Sequence, residues 1–119
     1  MGEMNGKPTA EQRRFHEWCR EQGCAISTGK CDAIHHIKGS RMKLKGCKNP
    51  GEWYVLPISF WWHQDGENPA AIHINKKQFE LTTGRTEKEF WERLISYYEF
   101  EYSKKPMSEE EYQIIMERA

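Results

Sequence analysis

The sequence predicts an α+β domain: a small β-hairpin and a following helix, flanked by helices at the N- and C-terminal ends. Three observations lead there. Four capping signals, Thr9–Gln12, Asn75–Gln78, Thr86–Glu89 and Ser108–Glu111, each open a helix-forming stretch. Two short β-rich runs, "CDAIHHI" and "WYVLPI", fall between the first of these signals and the other three. The chain's 119 residues suffice for one domain's core but not for two independent ones.

Taken in order, Thr9 and Gln12 form a capping box after Pro8 and open a helix over Ala10–Gln22, with Gly23 at C′. Phe15, Trp18, Cys19 and Gln22 share its packing face. "CAISTGKCDAIHHI" reads as an apolar stretch, a Ser-Thr-Gly-Lys turn and a strand, a hairpin or knuckle closed near Cys24 and Cys31. "KGSRMKLKGCKNPGE" reads as an exposed loop, "WYVLPI" as the next strand, "SFWWHQ" as a short helix and "DGENPA" as a turn. Asn75 caps a helix that stops at Gly84. Thr86 opens one whose apolar face holds Phe90, Trp91, Leu94, Ile95, Tyr97 and Tyr98, and Ser108 caps a terminal helix with Tyr112, Ile115 and Met116.

Composition narrows the function classes. With 37% hydrophobic and 30% charged residues the chain is of globular type, and no apolar run approaches the ~20 residues of a membrane span. "MGEMNGKPTAEQRR" lacks the apolar core of a signal peptide, so a cytoplasmic protein is expected. Eighteen basic and eighteen acidic side chains cancel, which argues against non-specific nucleic-acid binding by the whole surface. The charges are uneven, however. Lys30, Lys38, Arg41, Lys43, Lys45 and Lys48 crowd one stretch whose only acid is Asp32. In a reducing compartment Cys19, Cys24, Cys31 and Cys47 are either ligands of a structural zinc ion or free buried thiols.

Four of the five histidines lie in the middle of the chain: His35, His36, His63 and His73. Neutral imidazole ligates transition metals, and a pKa of ~6.5 suits it to general-base work. Strand neighbours face opposite ways, so His35 and His36 suit different tasks, one ligating and one activating water. The alternative is a pair of half-buried strand histidines with local hydrogen bonds. For His73 it is a polar residue preceding a helix. His16, one residue off the apolar face of the first helix, reads as surface or structural.

These segments resemble the HNH, or ββα-metal (His-Me finger), endonucleases. "AIHHI" is similar to the strand in which a metal ligand is followed at once by the general-base histidine, and "PISFWWH" to the "PLCxxCH" segment, from Pro57 to His63. "HHIKGSRMK" and "IHINKKQFELTTG" resemble "HH-I-x-G" and "H-x5-FE-x3-G" of phage Ref-like recombination nucleases. The likeness runs from about Cys24 to Gly84. It implies a ββα-metal finger core at about 24–84; the capped helices outside it read as helical scaffold at 9–22 and 86–118 of a single domain 1–119. Two features differ from the family pattern. Trp53-Tyr54 stands where the central Asn is found, with Asn49 the nearest Asn, and Ser59 and Trp62 replace the two cysteines.

What the resemblance implies is phosphodiester hydrolysis of DNA, with His36 as base and His35, His63 and His73 holding one divalent ion (Mg²⁺, Mn²⁺, Ni²⁺ or Zn²⁺). It also implies Lys38, Arg41, Lys43 and Lys45 as phosphate contacts and a host recombinase filament as partner. A different class of function is a non-catalytic, zinc-stabilised nucleic-acid-binding module built on the cysteines. "SFWWHQ" admits either core packing or base stacking by its tryptophans.

Overall fold

Each long helix begins where a side chain takes up the backbone N–H groups that a first turn leaves bare. The computed structural model describes residues 7–119; Met1–Gly6, part of the N-terminal stretch read above, lie outside the described residues. Thr9 Oγ1 accepts from Gln12 N–H (3.1 Å) while Gln12 Oε1 accepts from Thr9 N–H (2.8 Å), opening α1, Ala10–Gln22. The same reciprocal box opens α4, Glu87–Tyr102, at Thr86 and α5, Glu109–Arg118, at Ser108. Asn75 caps α3, Lys76–Thr83, which Gly84 ends in the left-handed region at φ 79°.

Between α1 and α3 lie β1 (Ala33–His36), β2 (Val55–Ile58) and the single-turn α2 (Phe60–His63). The strands are antiparallel, with His35 opposite Leu56 and His36 opposite Val55. All of β2 is buried, as its unbroken apolar run requires. The described architecture is thus α+β, with five helices and a two-stranded hairpin.

Of the hairpin and the knuckle that "CAISTGKCDAIHHI" admits, the hairpin is not formed. "CAIS" is a run of bends, tied down by Cys24 N–H to Gly29 O (2.8 Å) and Ala25 N–H to Pro57 O (2.8 Å). Pro57 offers that side of β2 a carbonyl but no N–H, so a third strand cannot propagate there. The hairpin is closed instead by the long connection 37–54. Lys38, Arg41, Lys43 and Lys45 are all exposed on it, as expected, and none joins an ion pair among the described residues.

The connection ends in a 3-10 turn, Pro50–Glu52. A Cβ on Gly51 would stand 2.3 Å from the Gly39 carbonyl, so only glycine lets the two limbs of the connection meet. The core packs Phe15 and Trp18 of α1 with Trp53, Tyr54, β2, Phe79 and the inner face of α4. Trp91 is its largest fully buried side chain. Its Nε1–H donates to the Trp53 carbonyl at 2.8 Å, and its ring meets Tyr54 edge-on and stacks on Tyr112. Gln22 and Tyr97, expected on the packing faces, point outward, and of the two readings of His16, surface or structural, the buried side chain fits the structural one. No helix of the described residues is long and apolar enough to cross a membrane.

Candidate metal centre

Because strand neighbours face opposite ways, β1 sends its two histidines to different surroundings. His35 turns inward, 5% exposed, toward His63 and His73; His36 stays partly exposed and meets Glu52.

The inward group is assembled by backbone hydrogen bonds. Asp32 Oδ2 accepts from Phe60 N–H (2.8 Å), which ties the start of α2 to the residue just before β1. His63 closes that single turn. The chain then folds back, with Ile72 N–H donating to Trp62 O (2.8 Å) and His73 N–H to His63 O (3.0 Å). Buried Asn68 holds the intervening loop through Trp61 O and Ala70 N–H. The result lays His73 beside His63, their Nε2 atoms 3.0 Å apart, with His35 over both at ring-centroid distances of 5.0 and 5.2 Å.

One ring nitrogen of each of the three lies within 4.8 Å of the others, a group able to hold a metal ion. Tetrahedral nitrogen ligands about 2.0–2.1 Å from zinc stand about 3.3 Å apart, close to the His63–His73 spacing. Burial, with His35 and His73 as neighbours, brings the His63 pKa down to about 4. The ring is therefore unprotonated at neutral pH, the form a metal requires.

Behind His35, its Nε2–H donates to Glu87 Oε2 at 2.6 Å, and Lys76 Nζ lies 3.4 Å from Glu87 Oε1. Burial alone would raise the Glu87 pKa, but the hydrogen bond and charge of His35 and the charge of Lys76 bring it below the ordinary glutamate value. Glu87 does not belong to the trio itself. A carboxylate on the far side of a ligating imidazole is a common arrangement in metal sites, because it fixes tautomer and ring orientation.

On the other face, Glu52 is 4% exposed and takes His36 Nε2–H on Oε1 at 2.9 Å. Its own carbonyl accepts from His16 Nε2–H at 2.7 Å, and that nitrogen lies 3.6 Å from Oε1. Burial, against the hydrogen bond to Glu52, keeps the His16 pKa below its usual value. Gln12 adds bonds to the carbonyls of Lys48 (3.1 Å) and Asn49 (3.0 Å). Helix α1 thus braces the end of the hairpin connection from outside. Trp53 and Tyr54 are core residues, and Asn49 serves as the left-handed residue before the 3-10 turn.

The cysteines, candidate zinc ligands from the sequence, are not gathered. Cys47 Sγ lies 3.6 Å from Glu111 Oε2 at α5, Cys24 Sγ lies 3.6 Å from Ser59 Oγ, and Cys31 Sγ lies 3.2 Å from the Ala33 carbonyl. Among the described residues no group of three or more candidate metal ligands includes a cysteine. Burial raises the thiol pKa of Cys19 and Cys31, and raises that of Cys47 to about 12 with help from Glu111, so without a metal these sulfurs are protonated at neutral pH. Only Cys24 is lowered, since the hydrogen bonds from Ser59, Ile26 and Ser27 outweigh its burial.

The two tryptophans of "SFWWHQ" divide between the two readings. Trp62 packs edge-on against Phe79 and donates to Ser27 Oγ, whereas Trp61 is 48% exposed.

Three site residues escaped the sequence reading. Glu87 stands in the first turn of a capped helix, where an acid is ordinary. Glu52 belongs to a loop, and His16 lies beside an apolar helix face. Glu52 alone carried a signal, as an acid abutting a run that must be wholly buried. No family model matches the chain, and comparison with curated proteins and with solved structures finds no match.

Proposed function

We propose that the chain is a metal-dependent endonuclease that hydrolyses DNA phosphodiester bonds in the manner of HNH enzymes. One observation carries this reading: adjacent residues of one strand supply a member of a three-histidine metal group and a partly exposed histidine held by a buried carboxylate. His35, His63 and His73 are the residues that would hold the ion. When bound, a divalent cation would supply positive charge for the phosphate and the leaving oxygen. An all-imidazole donor set favours Zn²⁺, Mn²⁺ or Ni²⁺ over Mg²⁺.

His36 acts as general base. It takes a proton from water as the oxygen–phosphorus bond forms and the bond to the leaving oxygen breaks. Lys38, Arg41, Lys43 and Lys45, exposed on the connection that follows β1, contact flanking phosphates. The non-catalytic zinc module is not favoured, because the thiols it needs lie apart.

Plasmid cleavage by the wild type, His36→Ala and His63→Ala, with EDTA or with Mg²⁺, Mn²⁺, Ni²⁺ or Zn²⁺, tests the reading. The wild type cleaves with at least one ion and EDTA stops it. His36→Ala binds the ion without cleaving, and His63→Ala does neither. Absence of cleavage with every ion overturns the reading, and full activity of His36→Ala overturns the assignment of the base.

A further inference from the structure

We infer that Glu52 and His16 form a positioning relay for His36, fixing which ring nitrogen faces the substrate and stabilising the proton that His36 takes up. The inference rests on the nuclease reading and extends it to two residues outside the resemblance-derived site.

A carboxylate oxygen and a backbone carbonyl both accept hydrogen bonds. The contact of His36 Nε2 with Glu52 Oε1 at 2.9 Å therefore places the neutral ring's hydrogen on Nε2 and leaves Nδ1 with a free lone pair. As Nδ1 accepts a proton, the ring becomes a cation 2.9 Å from a buried carboxylate, where the attraction is stronger than in water. The same logic governs hydrolase triads, in which an acid orients a histidine and stabilises its cation.

Glu52 is itself held. It sits in the 3-10 turn whose close approach to Gly39 only Gly51 permits, and its carbonyl is gripped by His16 Nε2–H at 2.7 Å. The same His16 nitrogen lies 3.6 Å from Oε1, beyond hydrogen-bond reach, so its hold on Glu52 runs through the carbonyl.

His16, His36 and Glu52 also lie close enough together to be considered a second metal site. The chemistry disfavours that use. His16 Nε2 already spends its hydrogen on the buried Glu52 carbonyl, and a metal on that nitrogen would leave the carbonyl without its partner. The group is a hydrogen-bonded relay.

The test uses the full chain with its activating metal. Glu52→Gln, which keeps shape and an acceptor oxygen, lowers kcat at least tenfold while KM and metal affinity stay within threefold. His16→Leu lowers kcat, and His16→Gln, which restores a donor, recovers at least threefold of the loss. A purely structural role would move melting temperature or metal affinity and would not single out kcat. Proton NMR of the wild type shows an exchange-protected His36 Nε2–H resonance that Glu52→Ala abolishes.

Wild-type cleavage with Glu52→Gln within twofold of its kcat overturns the relay alone. Absence of the protected proton overturns it whether or not DNA is cut. Two ions per chain, with one missing in His16→Leu, overturns it in favour of a second metal site. A wild type that shows the protected proton but cuts no DNA overturns the nuclease reading, and the relay's catalytic purpose with it.

Discussion

His35 Nε2 lies 2.6 Å from Glu87 Oε2, joining strand β1 to the first turn of α4 across 52 residues of sequence. Both side chains are almost wholly buried, so neither geometry nor charge is diluted by solvent. Glu87 thereby sets the orientation of an imidazole that faces His63 and His73 with the rest of its ring. Substituting Glu87→Gln should weaken Zn²⁺ binding about 10–100-fold, the usual range for losing such a carboxylate. Calorimetric titration of the folded variant checks this, and unchanged affinity would mean that Glu87 does not support a ligand.

The pH dependence of the metal-free protein follows from His63. In the unfolded chain it protonates near ~6.5, while in the fold its pKa is about 4. Between these values the unfolded chain binds more protons, so the fold loses stability as pH drops from about 6.5 toward about 4, and the effect is absent above that window. Urea midpoints measured across this range should fall with pH and should fall less steeply for His63→Gln.

Thiols and imidazoles should separate cleanly in metal content. With the sulfurs of Cys24, Cys31 and Cys47 each bonded to a different part of the chain, Cys31→Ser or Cys47→Ser leaves bound zinc unchanged, whereas His63→Ala removes it. Elemental analysis of the dialysed proteins decides. A drop in zinc on a cysteine substitution would show that the sulfurs assemble in solution.

Trp91 joins α4 to the residues leading into β2 and to α5. Trp91→Ala empties a fully buried site and orphans the Trp53 carbonyl, and should cost about 3–5 kcal/mol. Against a total stability of ~5–15 kcal/mol, that is a large share. The denaturation midpoint reports it directly.

The basic connection predicts salt-sensitive binding. If the connection contacts phosphates as proposed, removing one of its cations, by Arg41→Ala or Lys43→Ala, should reduce the slope of log affinity against log salt by about 0.9 on duplex DNA. Affinity should drop similarly for unrelated sequences, since phosphate contacts carry no base information. Fluorescence anisotropy at several salt concentrations would expose a sequence-dependent loss, which would contradict this role.

The helix starts were readable in the sequence because a capping box is a relation between residues three apart, and Thr9, Asn75, Thr86 and Ser108 carry all of it locally. The β2 run was readable because four consecutive buried residues must be apolar. Opposed faces for His35 and His36 followed from the two-residue period of a strand. At "CAISTGKCDAIHHI" a hairpin and a knuckle both stayed open, because which one forms depended on what Pro57 could return.

What remained hidden depended on distance along the chain. His16 meets the Glu52 carbonyl across 36 residues and His35 meets Glu87 across 52. No local pattern marks an acid in a loop, or in a helix's first turn, as the partner of a particular histidine. The sequence by itself determined which residue types could ligate or take a proton. Only the tertiary structure decided which of them meet, because hydrogen bonds between buried groups depend on packing that brings distant segments within about 3 Å.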